Sequence, residues 1–70
     1  MTDKDFLKKI GGNITRIRKQ RGYTINFVAQ KCEIEKSNLI PIEKGRINTT
    51  CLTLLKIATA LEIDAQEFFK

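Results

Sequence analysis

Seventy residues with a net charge of +5 allow one domain with a thin core, which a partner subunit would help to stabilise. With no histidine and two cysteines, Cys32 and Cys51, the chain cannot supply a plausible four-ligand zinc site; no metal or other cofactor is expected, and two buried free thiols in a reducing cytosol are the expectation. No secretory leader is expected from the charged start Met1-Thr2-Asp3-Lys4-Asp5; there is no membrane-length apolar run, and neither a paired-carboxylate cleft nor a phosphate-cradling glycine loop to suggest an enzyme.

The charge is uneven. Residues 8–46 hold ten of the 13 basic side chains and three of the eight acids. Such a block is the electrostatic footprint of a polyanion binder, but a solvated lysine-rich helix face carries the same charge. Charge alone does not separate the two.

In chain order, Phe6, Ile10, Ile14 and Ile17 recur at helical spacing and predict a helix over 6–21, ended by Gly22. Residues 1–5 are open either to disorder or to capping by Thr2 or Asp3. Gly11 and Gly12 weaken this helix by roughly 1 kcal/mol each relative to alanine. Either its first turns fray or Gly12 sits at a close helix crossing. Thr24 caps a second helix, 25–32, with Val28, Ala29 and Cys32 inward. Glu33-Ile34-Glu35 is a tight turn whose Ile34 plugs the core.

A third helix runs from near Lys36 to Gly45, with Leu39 and Ile42 inward. Gly45 suits a left-handed C-cap, and Lys44 lies where the helix dipole favours a cation. Arg46 to Thr49 is a polar loop. Thr50 caps a fourth helix, 51–61, with Leu54, Ile57, Ala58 and Leu61 inward. Asp64 caps a short fifth, 65–69, and Asp64 with Glu67 has the spacing of a capping box. No strand, repeat or linker is visible. The expectation is all-α: one five-helix domain over 1–70.

Helices two and three are short and joined by a turn too tight for an antiparallel pair, which describes a helix-turn-helix. That geometry needs a small residue in its first helix (Ala29), an apolar plug (Ile34) and apolar anchors on its second (Leu39, Ile42). It holds the second helix proud of the body, with its N-terminal side chains free to meet base edges.

The ordered set of motifs resembles the Cro/phage-repressor (XRE) helix-turn-helix family over about residues 10–69. Ile17-Arg18 to Gly22 resembles that family's first helix. Val28-Ala29, Ile34, Ser37, Leu39 and Ile42-Glu43-Lys44-Gly45 resemble its two-helix motif. Asn48, Leu54, Ile57-Ala58, Leu61 and Ile63 to Phe69 resemble its last two helices. The resemblance implies a repressor-like domain that reads a palindromic site on double-stranded DNA as a homodimer, through the major groove, in a bacterial or phage cytoplasm and on the nucleoid when bound. It implies no membrane and no small-molecule ligand. A sensor or enzyme attached to the domain is not expected.

Residue by residue, the resemblance implies that Arg18 pairs with Glu43. Lys36, Ser37, Asn38 and Pro41 take the base-facing positions. Thr24, Lys44, Arg46 and Asn48 take phosphate positions. Asparagine can bond two atoms on the major-groove edge of adenine, and lysine can donate to guanine. Lys36 and Arg46 also read plainly as surface cations, and Ser37 and Asn38 as helix caps. The dimer surface is assigned to Ile63, Phe68 and Phe69, although both phenylalanines could instead close the core against Leu7 and Ile10.

Four positions depart from the pattern. Ile25 stands where the family carries a glutamine that bonds a phosphate, so that phosphate is either left without a donor or met by Asn26. Glu33 replaces the turn glycine and Glu35 the serine cap. Pro41 lies inside the third helix, where proline removes a hydrogen bond, and predicts a shortened or kinked helix. A second reading follows from these departures. A protein-interaction module could retain the fold without DNA, using Ile25, Phe27, Ile40 and Pro41 as its contact patch while Glu33 and Glu35 repel phosphate.

Overall fold

The computed structural model describes all 70 residues: four α-helices and a final 3-10 helix, with no strand. They are α1 (Asp3–Gln20), α2 (Ile25–Lys31), α3 (Lys36–Glu43), α4 (Cys51–Leu61) and the 3-10 helix (Ala65–Phe69). The fifth helix spans the residues predicted for it, 65–69, but winds as a tighter 3-10 helix.

Helix α1 starts three residues earlier than the apolar pattern predicts. The Thr2 hydroxyl accepts from the Asp5 N–H at 3.1 Å, and the Asp5 carboxylate accepts from the Thr2 N–H at 3.4 Å. This reciprocal cap satisfies two otherwise orphaned donors and draws residues 3–5 into the helix, against the disorder allowed for them. Thr24 and Thr50 cap α2 and α4 through their hydroxyls. Asp64 accepts from the Gln66 N–H at 3.0 Å, but Glu67 turns to Lys70 at 2.8 Å, so the capping box expected there does not form.

The four α-helices end alike. In each, a residue with φ between 58° and 74° (Gly22, Glu33, Gly45, Glu62) turns the chain, and the next N–H bonds back to a carbonyl five residues earlier. Tyr23 donates to Arg18, Ile34 to Ala29, Arg46 to Pro41 and Ile63 to Ala58. These are Schellman ends, whose final residue commonly packs on the helix it closes. Tyr23, Ile34 and Ile63 do pack against the core, whereas Arg46 is exposed. Glu33 and Glu62 hold the left-handed turn without being glycine.

The core joins Ile10, Ile14 and Ile17 of α1 to Val28 and Ala29, Leu39 and Ile42, and Leu54, Ile57, Ala58 and Leu61. Phe6, on the same stripe of α1, remains 41% exposed, one turn beyond the reach of the core, with its ring 6.1 Å from that of Phe69. Phe68 closes the core at 0% exposure, and the Asn13 side chain donates to its carbonyl at 2.8 Å. Phe68 therefore cannot serve the dimer surface assigned to it; of that trio only Phe69 is exposed and Ile63 half-buried.

The close crossing belongs to Gly11, not Gly12. A Cβ on Gly11 would meet the carbonyl oxygens of Ile42 and Glu43 at 2.5 Å, whereas one on Gly12 would meet nothing. The absence of a side chain at Gly11 lets α1 touch the backbone of α3. Cys32 is buried, and desolvation pushes its thiol pKa up. Cys51, expected to be buried, is exposed, because it precedes the inward arc that begins at Leu54.

Candidate nucleic-acid interface

Helix α3 has two opposed faces. At 100° per residue, Leu39, Ile42 and Glu43 share the buried arc, and Lys36, Ser37, Asn38 and Lys44 share the exposed one. Ile40 and Pro41 lie within that same outer arc and are half-buried. Lys36, Ile40 and Lys44 stand four apart and form one row along the outer edge.

Helix α3 begins at Glu35, whose carbonyl accepts from the Asn38 and Leu39 N–H groups at 2.9 and 3.0 Å while its carboxylate makes no cap. That carboxylate instead accepts from the Ser37 hydroxyl at 3.4 Å, placing a negative charge at the mouth of the helix. Pro41 is the sixth helical residue. It lacks the N–H that would reach Ser37, yet α3 runs through it to Glu43. The expected shortening does not occur, and the helix stops only where Gly45 turns left-handed.

The buried end of α3 is tied to α1 through charge. Arg18 Nε donates to Glu43 Oε2 at 2.8 Å and Arg18 Nη2 to Oε1 at 3.1 Å, a bidentate fork. Arg18 Nη1 donates to the Tyr23 carbonyl at 2.9 Å, and the Thr15 hydroxyl stands 2.9 Å from Glu43 Oε1. The two side chains are only 12% and 6% exposed, and no buried side-chain polar atom lacks a partner. A buried pair so fully bonded orients α3 strongly, because loss of either partner strands a charge. Thr15 and the Tyr23 carbonyl carry no sequence signal that would have placed them here.

The other expected residues divide between three places. Thr24 and Asn26 stand exposed at the start of α2; the Thr24 hydroxyl accepts from the Phe27 N–H at 3.1 Å, and the N–H groups of Ile25 and Asn26 point out of the helix unpaired. Ile25 packs on the core instead. Lys44 and Arg46 flank Gly45, where they line a groove with Lys4, Leu7 and Lys8 of α1. Lys4 and Lys8 were not singled out in the sequence; their four-residue spacing was visible, but not what they face. Asn48 is exposed in a separate depression beside Asp3, Phe6 and Leu7. Of the alternative contact patch, Ile25, Ile40 and Pro41 are half-buried and only Phe27 is exposed, its ring 4.7 Å from Tyr23 with Lys31 Nζ 5.5 Å away.

No three His, Cys, Asp or Glu side chains stand together as metal ligands, and no helix is long and apolar enough to cross a membrane. What the arrangement can do is present a narrow, polar, cation-flanked helical edge.

Comparison with known proteins agrees with this geometry. A family model described as a helix-turn-helix domain matches residues 11–70. An uncharacterised HTH-type transcriptional regulator of Sinorhizobium fredii, y4dJ, is 33% identical over 63 residues, covering 90% of this chain and 82% of that protein. The crystal structure of the restriction-modification controller protein C.AhdI from Aeromonas hydrophila superposes with a TM-score of 0.87 at 30% identity, over 90% of this chain and 96% of that one. An HTH_3 family transcriptional regulator from Vibrio cholerae gives 0.90 at 37% identity, over 97% of this chain but 38% of its own. The chain belongs to the XRE-type helix-turn-helix family.

Proposed function

We propose that this protein is a transcriptional regulator that inserts the outer edge of α3 into the major groove of a palindromic DNA site and acts as a homodimer in the cytoplasm. The observation that carries the reading is the free edge of Lys36, Ser37 and Asn38, ending in Lys44 and Arg46, on a helix whose other face is locked by Arg18 and Glu43. Asn38 reads adenine and Lys36 reads guanine. Ser37 and Pro41 face the bases beside them. Lys44, Arg46, Asn48, Thr24 and Asn26 grip the backbone and set the register without reading sequence. Glu35, held at the mouth of α3, favours a cytosine amino group and disfavours a close phosphate.

The dimer half of the proposal draws on exposed apolar side chains. Phe69 and Ile63 offer one such surface. Leu52 and Leu55 on α4, 71% and 54% exposed within a run, 47–55, that carries no charge, offer another. A repelling +5 chain associates most easily through uncharged surface. Sedimentation of Phe69→Lys against Leu52→Lys/Leu55→Lys identifies which one holds the dimer.

Selection from a random duplex pool, followed by affinity measured across a salt series, tests the whole reading. A palindromic consensus and a steep loss of affinity with salt are expected. No duplex binding even in dilute salt would leave the protein-interaction module as the function of this fold.

A further inference from the structure

We propose that the groove between the start of α1 and the corner after α3 is a second backbone-binding site. Its ligand is the phosphodiester of the same duplex, beyond the stretch that α3 reads. The proposal rests on the DNA-binding function above and extends it to Lys4 and Lys8, which neither the fold nor the capping of α1 requires.

Four cations line this groove: Lys4 and Lys8 on one wall, Lys44 and Arg46 on the other. None has an acidic partner, since the only ion pairs in the molecule are Arg18–Glu43 and Lys70–Glu67. The nearby acids are directed elsewhere. Asp5 is bonded to Thr2, and Asp3 lines the neighbouring depression with Asn48. Unpaired like charges repel one another, so bringing four together is unfavourable until an anion joins them.

The walls are held at backbone contact. A Cβ on Gly45 would lie 2.6 Å from Lys8 Cα and 2.7 Å from its nitrogen, so the left-handed glycine brings the corner directly against α1. The backbone from which the two pairs of cations project is therefore held at a fixed spacing.

Arg46 supplies an independent sign. At the other three helix ends the equivalent residue is Tyr23, Ile34 or Ile63, and each packs on the core. After α3 that position is given to an exposed guanidinium, which can hold a phosphate bidentately. Lys44 belongs to the same outer row as Lys36, so the groove continues the reading edge.

The test compares the unaltered chain, Lys4→Ala/Lys8→Ala and, as a control on the outer side of α4, Lys56→Ala, binding the selected duplex across a salt series. Removing one phosphate partner lowers the slope of log affinity against log salt by about 0.9, so the double variant is expected to lose about 1.8 while selecting the same sequence. Trimming the duplex to the segment that α3 spans should weaken the unaltered chain more than the double variant, which keeps only Lys44 and Arg46 in the groove. Lys4→Gln/Lys8→Gln, which retains most of the stems, repeats the measurement if the alanine pair melts early. An unchanged slope in a chain that binds steeply overturns the groove and leaves the proposed function standing. Saturable, sub-millimolar binding of inorganic phosphate at Lys8 and Arg46, seen by amide chemical shifts without DNA, would assign the groove to a free anion and overturn the duplex reading. No duplex binding by the unaltered chain sinks both.

Discussion

The two faces of α3 are built by opposite means. On the inner face, Leu39 and Ile42 are buried, Gly11 brings α1 within backbone contact, and every polar atom of the Arg18–Glu43 pair is met. On the outer face, Lys36, Asn38 and Lys44 make no side-chain bond, and Ser37 makes only a long one to Glu35. The helix is therefore positioned by residues that cannot touch DNA and presents residues that stabilise almost nothing. Stability and recognition can change separately within eight residues.

Substitutions on the two faces should separate cleanly. The largest effect is expected from Glu43→Ala, which strands the Arg18 guanidinium in a nearly dry site and should cost about 3–5 kcal/mol in denaturant unfolding. Survival of the fold with less than about 1 kcal/mol lost would show that α3 is held by packing alone. Gly11→Ala should follow, at roughly 1–3 kcal/mol or more, because its methyl has only backbone to displace. Its neighbour provides the sharpest contrast. Gly12→Ala meets nothing and should raise stability by about 1 kcal/mol, as alanine does in an open helix interior.

On the outer face, Asn38→Ala should leave the melting temperature within a degree or two while discrimination at one base pair falls by about 1–3 kcal/mol, measured by competition between duplexes. A loss of melting temperature instead would move Asn38 to the structural side of the comparison. The smallest effect belongs to the turn before α3. Glu33 sits at φ 58°, a conformation that favours glycine, so Glu33→Gly should stabilise the fold by up to about 1 kcal/mol, read by thermal melting. It would also remove a carboxylate close to the edge of α3, so affinity for DNA should rise slightly at low salt.

Much of the fold was legible because the signals are local. The threonine caps, the inward stripes of α2 and α4 and the left-handed ends at Gly22 and Gly45 each depend on residues within one or two turns of each other. The Arg18–Glu43 contact was suggested by resemblance, and the structure brings the two side chains together across 25 positions. The failures have a common cause. Phe68 and Phe69 are adjacent and identical, as are Gly11 and Gly12, and composition cannot say which of a pair faces inward. Cys51 looked buried because it adjoins an apolar run, yet it is the first residue of α4 and lies before the turn that meets the core. Pro41 pointed to a shortened helix because the missing hydrogen bond is a local cost, whereas the packing of Leu39 and Ile42 that carries the helix through it is not local.

The amino-acid order by itself determined where each helix starts and turns, since capping and left-handed turns are settled within a few residues. Only the tertiary structure decided which glycine is the crossing, which phenylalanine is the core, and that Lys4 and Lys8 stand opposite Lys44 and Arg46. Those outcomes depend on how helices distant in sequence rotate and approach to fill one small core, and that rotation is a property of the packed whole.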